Sequence, residues 1–279
     1  MSHTSHYLNC LGRELHYTEW GSQHTDTVIA WHGLARTGRD MDDIAAHLSA
    51  RWRVLCPDTI GRGLSQWSPD PGQEYCLDFY VRLAESLMDQ LGVASCLWLG
   101  TSMGGAIGLR GAAGRLQGRI RRLVLNDMGP EIAASAVERI RSYAGQPASF
   151  ATVGELERYF RTIYAPYGWL SDAQWRRLTE TSVRRLPDGR VTPHYDPAMV
   201  RQFIDHPSDY DQWAHWDRLS IPVLCLRGEH SDLLEAAVAE QMRQRGPRAL
   251  VATIAGCGHA PALNVPEHFA LVEHFFDGG

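Results

Sequence analysis

The spacing of apolar residues restricts the fold of this chain more than any other feature of its sequence. Between residues 27 and 127, and again between 221 and 276, short apolar runs that predict strands alternate with longer amphipathic segments that predict helices. Such an alternation is typical of a mostly parallel sheet covered by helices. Two further runs, at 7–12 and 14–21, predict an antiparallel pair of strands that opens the fold.

The alternation is interrupted once, starting at Gly129-Pro130. From about residue 130 to 217 the chain shows helical patterns and many aromatic residues but no clear parallel strand. We therefore predict one α/β domain, built from residues 1–129 and 218–279, with a helical cap inserted at 130–217. A chain of 279 residues, 44% of them hydrophobic, can bury a core of this size.

Charge and composition narrow the range of partners. The formal net charge of −5 and the sequence pI near 6.2 give no electrostatic reason to expect nucleic acid. The sequence shows neither a basic and apolar leader nor an apolar stretch long enough to span a membrane, so a soluble cytoplasmic protein is expected. The six cysteines lack CxxC spacing, which favours reduced core thiols over disulfides or a zinc site.

The stretch Gly100-Thr101-Ser102-Met103-Gly104 carries the clearest chemical signal. It fits the pattern G-x-S-x-G and lies between a predicted strand that ends at Leu99 and a predicted helix that starts near Met103. In such a turn the serine adopts a strained backbone conformation, and glycine at both flanking positions avoids collisions with neighbouring elements. Ser102 is therefore the predicted nucleophile.

A serine nucleophile needs a base that removes its proton and an acid that orients the base. In this topology the three residues come from successive strand ends in the order serine, acid, histidine. Asp232 and His259 each follow a later predicted strand and meet that order, so they are the predicted acid and base. Asp127, at the end of an earlier strand, stays open as the alternative acid, and Glu229 is a weaker one.

An ester oxygen that becomes negative during attack needs N–H donors. The turn at His32-Gly33 would direct the backbone N–H of Leu34 to the site, and the N–H of Met103 would be the second donor. His32 itself is expected to be structural.

These pieces together resemble the α/β-hydrolase fold superfamily, in particular its serine-nucleophile branch with a helical cap. The resemblance covers nearly the whole chain, and the matching segments are "HG" at 32–33, "DTIGRGLS" at 58–65, "GTSMGG" at 100–105, "RGEHSDLL" at 227–234 and "GCGHAPAL" at 256–263. The resemblance implies that Ser102, Asp232 and His259 form a catalytic triad and that Leu34 and Met103 supply the oxyanion-hole amides. Serine in the turn argues against the dehalogenases and epoxide hydrolases of this fold, which use aspartate there.

The resemblance leaves several reactions open. "SMGG" looks like carboxylesterases, lactonases, cofactor-free perhydrolases and the hydrolases that cleave carbon–carbon bonds in meta-ring-fission products. The last group usually carries H-G-x-G-P-G, an asparagine before the serine and a tryptophan after the histidine, where this chain has "HGLART", Thr101 and Ala260. We predict hydrolysis of a small to medium carboxylic ester, lactone or thioester through an acyl-enzyme on Ser102. Carbon–carbon bond hydrolysis and a ligand receptor on a hydrolase scaffold are the alternatives.

Substrate contacts are predicted only in outline. Arg36 and Arg62 are candidates to pair with a substrate carboxylate, although a surface guanidinium in a local ion pair is the more favoured interpretation of both. Trp169 and Trp213, with other cap aromatics, are candidates to wall an apolar pocket. No metal or other cofactor is expected, the expected partner is a small-molecule substrate, and a homodimer is left open.

Overall fold

A computed structural model describes residues 2–278 of the chain. The strands in this range, in chain order, are β1 (Thr4–Cys10), β2 (Arg13–Trp20), β3 (Thr27–Trp31), β4 (Arg53–Pro57), β5 (Cys96–Thr101), β6 (Ile120–Asn126), β7 (Val183–Arg185), β8 (Val191–Pro193), β9 (Val223–Gly228) and β10 (Leu250–Ile254). Eight of them form one sheet in the order β1-β2-β4-β3-β5-β6-β9-β10. The pairs β1–β2 and β2–β4 are antiparallel and all other neighbours in this sheet are parallel, which confirms the predicted fold class.

Helices connect most of the strands. They are α1 (Asp42–Leu48), α2 (Pro71–Glu74), α3 (Leu77–Gln90), α4 (Met103–Ala112), α5 (Ala134–Ala144), α6 (Val153–Ile163), α7 (Asp172–Glu180), α8 (Gln202–Asp205), α9 (Trp213–Trp216), α10 (Ala236–Gln244) and α11 (Pro266–Asp277). Over residues 2–278, none of the helices has the length and apolar character that a membrane crossing requires.

Alternate residues of the central strands contribute to two apolar layers. On β3, Ile29 and Trp31 lie in the layer that α3, α4 and α10 cover, whereas Val28 and Ala30 lie in the layer that α1 and α11 cover. This period of two is expected for a sheet that is buried on both faces. Because helices occupy both faces, the carboxyl ends of the parallel strands form the edge where loops can gather around a ligand.

The residues between β6 and β9 add no strand to the main sheet. They form α5 to α9 and the separate hairpin of β7 and β8. An apolar cluster of their own joins α6, α7 and β8 through the buried side chains of Leu156, Phe160, Trp175, Leu178 and Val191. We call residues 130–217 the cap, as in the sequence analysis; both of its ends lie in the connections that leave β6 and enter β9.

One element of the cap differs from the sequence-based expectation. The helical pattern at 171–184 predicts a single helix, but α7 ends at Glu180 and Val183–Arg185 pair with β8 instead. The carbonyl of Arg177 accepts both the backbone N–H (2.9 Å) and the hydroxyl (2.8 Å) of Thr181, which ends the helix. The chain can therefore leave the helix there and begin the hairpin.

All six cysteines are buried and none forms a disulfide. Cys56, Cys96 and Cys225 lie in β4, β5 and β9, where they pack as apolar side chains. Burial raises the pKa of the Cys96 thiol to about 12, so it stays protonated at neutral pH. This arrangement agrees with the prediction of reduced core thiols.

Truncation of a buried leucine side chain in the apolar layer that α3 covers should destabilise the whole fold. Leu83 on α3 is 0% exposed, so we expect Leu83→Ala to lower the free energy of unfolding by about 2–5 kcal/mol. Leu250→Ala is the matched control, because Leu250 is 58% exposed and its truncation should cost less than about 0.5 kcal/mol. Urea unfolding followed by circular dichroism measures both, and equal losses would contradict this description of the core.

Candidate active site

The turn between β5 and α4 holds Ser102 in a strained position. The backbone of Ser102 has φ +52° and ψ −118°, a conformation that residues other than glycine rarely adopt. A Cβ on Gly100 would lie 2.2 Å from the carbonyl of Gly104, and a Cβ on Gly104 would lie 2.2 Å from the carbonyl oxygen of Trp31. Only glycine fits at either position, and this close approach of β3, β5 and α4 places Ser102 at the carboxyl edge of the sheet.

His259 lies in the loop that follows β10 and reaches Ser102. Its Nε2 is 2.8 Å from the Ser102 Oγ, and its Nδ1 is 2.7 Å from a carboxylate oxygen of Asp127. In the tautomer that fits both contacts, the serine hydroxyl donates to Nε2 and the Nδ1–H donates to the carboxylate. The structure therefore brings together Ser102 and His259, as predicted, with Asp127 as the third member.

Asp127 follows β6 directly and is fully buried at φ +53°. Besides the contact with His259, its carboxylate accepts hydrogen bonds from the backbone N–H of Gly228 (2.8 Å) and from the hydroxyl of Ser231 (2.6 Å). Three donors thus satisfy the two oxygens of this buried side chain.

The expectation that Asp232 contacts His259 is wrong. The loop after β9 turns so that Ser231 points inward to Asp127, and the next residue, Asp232, points outward. Its side chain is 51% exposed and forms an ion pair with Arg139 of the cap. Glu229, the weaker rival, accepts the backbone N–H of Gly256 instead (2.9 Å).

His32 has the structural role expected for it. Burial lowers its pKa to about 4, so the ring is neutral at physiological pH. Nδ1 donates to the carbonyl of Gly33 (2.6 Å) and Nε2 accepts the N–H of Thr59 (2.9 Å). The ring thereby fixes the turn that leads into Leu34.

The two predicted oxyanion donors lie next to the serine. Met103 directly follows Ser102, and a Cβ on Gly33, the residue before Leu34, would lie 3.6 Å from the Ser102 Cβ. Within residues 2–278, the backbone N–H groups of Leu34 and Met103 donate to no other group. Both are therefore free to bind a ligand oxygen beside Ser102.

A cavity of about 510 Å³ opens over Ser102 and His259. Its apolar wall joins the core loop to the cap through Leu34, Ile140, Tyr159, Ile163, Tyr164 and Tyr167. This volume lies in the usual range of small-molecule sites. The arrangement can therefore enclose a small, largely apolar ligand against the serine.

The predicted substrate-binding residues are placed in different ways. Arg36 lines the cavity, but its buried guanidinium pairs with Asp40 (2.7 and 2.8 Å) and donates to Ser182 (2.8 Å). Trp169 and Trp213 do not line it, contrary to expectation. Trp169 is 72% exposed on the surface, since Gly168 turns the chain outward at φ +93°, and Trp213 donates to Glu131 (2.8 Å) away from the cavity.

Arg62 also differs from its expected surface position. It is fully buried, and its Nε donates to the carbonyl of Leu34 (2.9 Å). The sequence pattern contains no direct signal for this contact.

Across the described range 2–278, no group of three or more His, Cys, Asp or Glu side chains is arranged to hold a metal ion.

Comparison with known proteins gives consistent matches over almost the whole chain. The family described as alpha/beta hydrolase fold matches residues 26–264. The chain is 38% identical over 272 residues to the 3-hydroxybutyrate-oligomer hydrolase of Cupriavidus necator, covering 94% of this chain and 92% of that protein. It is 27% identical over 250 residues to the pimeloyl-(acyl-carrier protein) methyl ester esterase of Nitrosomonas europaea, covering 87% and 92%. An alpha/beta hydrolase structure from Novosphingobium aromaticivorans superposes with a TM-score of 0.86 at 32% identity, covering 99% of this chain and 98% of that one.

The two candidate acids can be separated by substitution. If Asp127 orients His259, Asp127→Asn should lower kcat on a p-nitrophenyl ester by about 10⁴, because the imidazole loses its orienting anion. Asp232→Asn should lower it by less than about tenfold, since Asp232 does not touch His259. A larger loss from Asp232→Asn than from Asp127→Asn would contradict the assignment.

Proposed function

The chain belongs to the α/β hydrolase fold family and is a hydrolase, and we propose that it cleaves carboxylic esters through an acyl-enzyme on Ser102. The observation that carries this proposal is the hydrogen-bonded line from Ser102 through His259 to Asp127 beneath the cavity. A hydroxyl, an imidazole and a buried carboxylate in this order are the groups that activated serine catalysis requires.

The reaction proceeds in two halves. In the first, the Ser102 oxygen attacks the ester carbonyl carbon while His259 Nε2 takes the hydroxyl proton, and Asp127 stabilises the resulting imidazolium. The N–H groups of Leu34 and Met103 hold the oxygen that becomes negative. His259 then gives its proton to the departing alcohol, which leaves the acyl group on Ser102.

In the second half, water takes the place of the alcohol. His259 accepts a proton from the water as it attacks the acyl carbon, and the same two N–H groups hold the oxyanion. Collapse of this intermediate breaks the bond to Ser102, whose oxygen recovers its proton from His259. The products are an alcohol and a carboxylic acid, and the enzyme is regenerated without a cofactor.

The cavity and the relatives support a small aliphatic ester as the substrate. Much of the wall near the serine consists of aliphatic and tyrosine side chains, which suit an aliphatic ligand. Among relatives, the protein from Cupriavidus necator is named for oligomers of 3-hydroxybutyrate, which are short linear oligoesters. We propose short oligoesters of hydroxy acids, and esters of similar size, as the substrate class.

A panel of p-nitrophenyl esters of increasing acyl length tests this function. We expect the butanoate to be hydrolysed faster than the dodecanoate, because its acyl group matches the size of one hydroxy-acid unit of the proposed oligoesters. Ser102→Ala should lower kcat by about 10⁵ to 10⁶, as expected when the three residues act as a unit. Ser22→Ala, which changes an exposed serine away from the cavity, is the matched control and should keep the native rate.

Native-like hydrolysis by Ser102→Ala would overturn the acyl-enzyme proposal. A vinylogous diketone is included as a separate substrate, and turnover of the diketone alone would instead favour carbon–carbon bond hydrolysis.

A further inference from the structure

An ion pair joins the cap to the core at the cavity that contains Ser102. Arg139 comes from α5 of the cap and Asp232 from the loop after β9, and both side chains line the cavity together with Ser102 and His259. Their side chains are 49% and 51% exposed, so water reaches both partners. The pair therefore lies where the cavity meets solvent.

Of the two arginines that line the cavity, only Arg139 can readily exchange its partner. Arg36 is buried and its Nε and Nη2 donate to Asp40 and Ser182, so that its ion pair is fixed, although its Nη1 has no hydrogen-bond partner among residues 2–278. The pair of Arg139 with Asp232 is solvated and contributes little to stability, so a second carboxylate can replace Asp232 at small cost. His230 also lines the cavity. Its Nε2 lies 3.6 Å from a carboxylate oxygen of Glu229, and its side chain is largely exposed.

We propose that Arg139 binds a carboxylate at the end of the substrate remote from the scissile ester, and that Asp232 occupies Arg139 when no substrate is bound. The inference rests on the proposed ester hydrolysis and narrows its substrate class to esters that end in a carboxylate. Linear oligoesters of hydroxy acids have this chemistry, because one end of each chain is a free acid. A guanidinium suits the task, since its planar donors match a carboxylate.

The proposal makes the two partners act in opposite directions. Arg139 attracts the terminal carboxylate, whereas Asp232 competes for the same guanidinium and repels the incoming anion. Removal of Arg139 should therefore weaken the preference for acid-terminated esters, and removal of Asp232 should strengthen it. Neutral esters of the same length have no terminal charge and serve as the reference.

4-(Butanoyloxy)butanoic acid and 6-(butanoyloxy)hexanoic acid, each paired with its methyl ester and followed by the release of butanoate, test the inference in the intact chain. Their carboxylate lies on the alcohol side of the scissile ester, as it does in a linear oligoester of hydroxy acids. The quantity measured is kcat/KM for the acid divided by kcat/KM for the methyl ester. We expect Arg139→Gln to lower this ratio by about tenfold and Asp232→Asn to raise it by about threefold. The double variant should fall between the two single variants, because it loses the repulsion by Asp232 but has no guanidinium to bind the carboxylate.

Arg141→Gln is the matched control, since Arg141 also lies on α5 but pairs with Glu138 and does not line the cavity. An unchanged ratio in Arg139→Gln, with the methyl esters still hydrolysed, would overturn the carboxylate site while leaving the ester hydrolase in place. If the native protein hydrolyses neither member of either pair, the proposed function fails and this inference fails with it.

A different observation concerns Arg62, a buried arginine without a carboxylate partner. Its Nη1 donates to the carbonyl of Ile60 (2.8 Å) and to the hydroxyl of Tyr80 (2.9 Å), and its Nη2 lies 3.7 Å from the Met103 sulfur. As described above, its Nε holds the carbonyl of Leu34. Among the ion pairs of residues 2–278, none includes Arg62.

We infer that Arg62 is a positioning residue for the oxyanion hole. Its guanidinium contacts both residues whose N–H groups hold the oxyanion, so it fixes Leu34 relative to Met103. Because no carboxylate neutralises it, its charge also favours the negative oxygen that develops beside these residues. The tyrosine rings that flank the guanidinium, at 5.3 and 5.4 Å, supply part of its stabilisation.

Arg62→Met and Arg62→Lys test this role. We expect Arg62→Met to lower kcat by about 10², with KM within about threefold, because the variant stabilises the oxyanion intermediate less but binds the neutral ester equally well. Affinity for an aliphatic trifluoromethyl ketone, which forms an oxyanion adduct with the serine, should fall in parallel. Arg62→Lys, which keeps the charge but not the planar donors, should give an intermediate loss and provides the readout if Arg62→Met does not fold.

Arg119→Met is the control, since Arg119 also donates to a backbone carbonyl, that of Val93 (2.8 Å), but lies at the opposite end of β6 from Asp127. A rise in KM with kcat and ketone affinity preserved would overturn the inference, because it would indicate a role in substrate binding or folding alone.

Discussion

The close approach of backbone at the turn after β5 is the constraint on which the rest of the site depends. Gly100 packs against the first turn of α4, and Gly104 packs against the carbonyl of Trp31 on β3, with no room for a Cβ at either place. The same contact places Ser102 at the sheet edge and brings the loop after β3, with the N–H of Leu34, beside it. Nucleophile and oxyanion donors are therefore positioned by a single packing requirement.

The parallel order of the strands positions the other two side chains of the site, Asp127 and His259. Asp127 follows β6, the immediate neighbour of β5, and His259 follows β10 at the edge of the sheet, so three strand ends converge on one point. The cost of burying the Asp127 carboxylate is offset by the hydrogen bonds from Gly228, Ser231 and His259. The cap then closes the space above the serine with apolar side chains and Arg139.

The sequence was sufficient to predict the sheet, the turn at Ser102 and the position of His259, because these follow from apolar periodicity and glycine spacing. It could not decide between Asp127 and Asp232, since both follow strands and only the conformation of the loop after β9 places Ser231 inward and Asp232 outward. The predictions for Trp169 and Trp213 were wrong because an aromatic side chain in a cap can lie in its core, at its surface or at the cavity, and Trp169 lies in the loop before α7. The burial of Arg62 depends on carbonyl orientations that residue types do not specify.

Site-specific labelling tests the central claim most directly. The intact protein would be treated with a stoichiometric amount of a fluorophosphonate, which reacts with serines that a neighbouring base activates. Peptide mapping by mass spectrometry would then locate the adduct. The account predicts one adduct, on the peptide that contains Ser102. An adduct on another serine, such as Ser231, or complete resistance to labelling would contradict it.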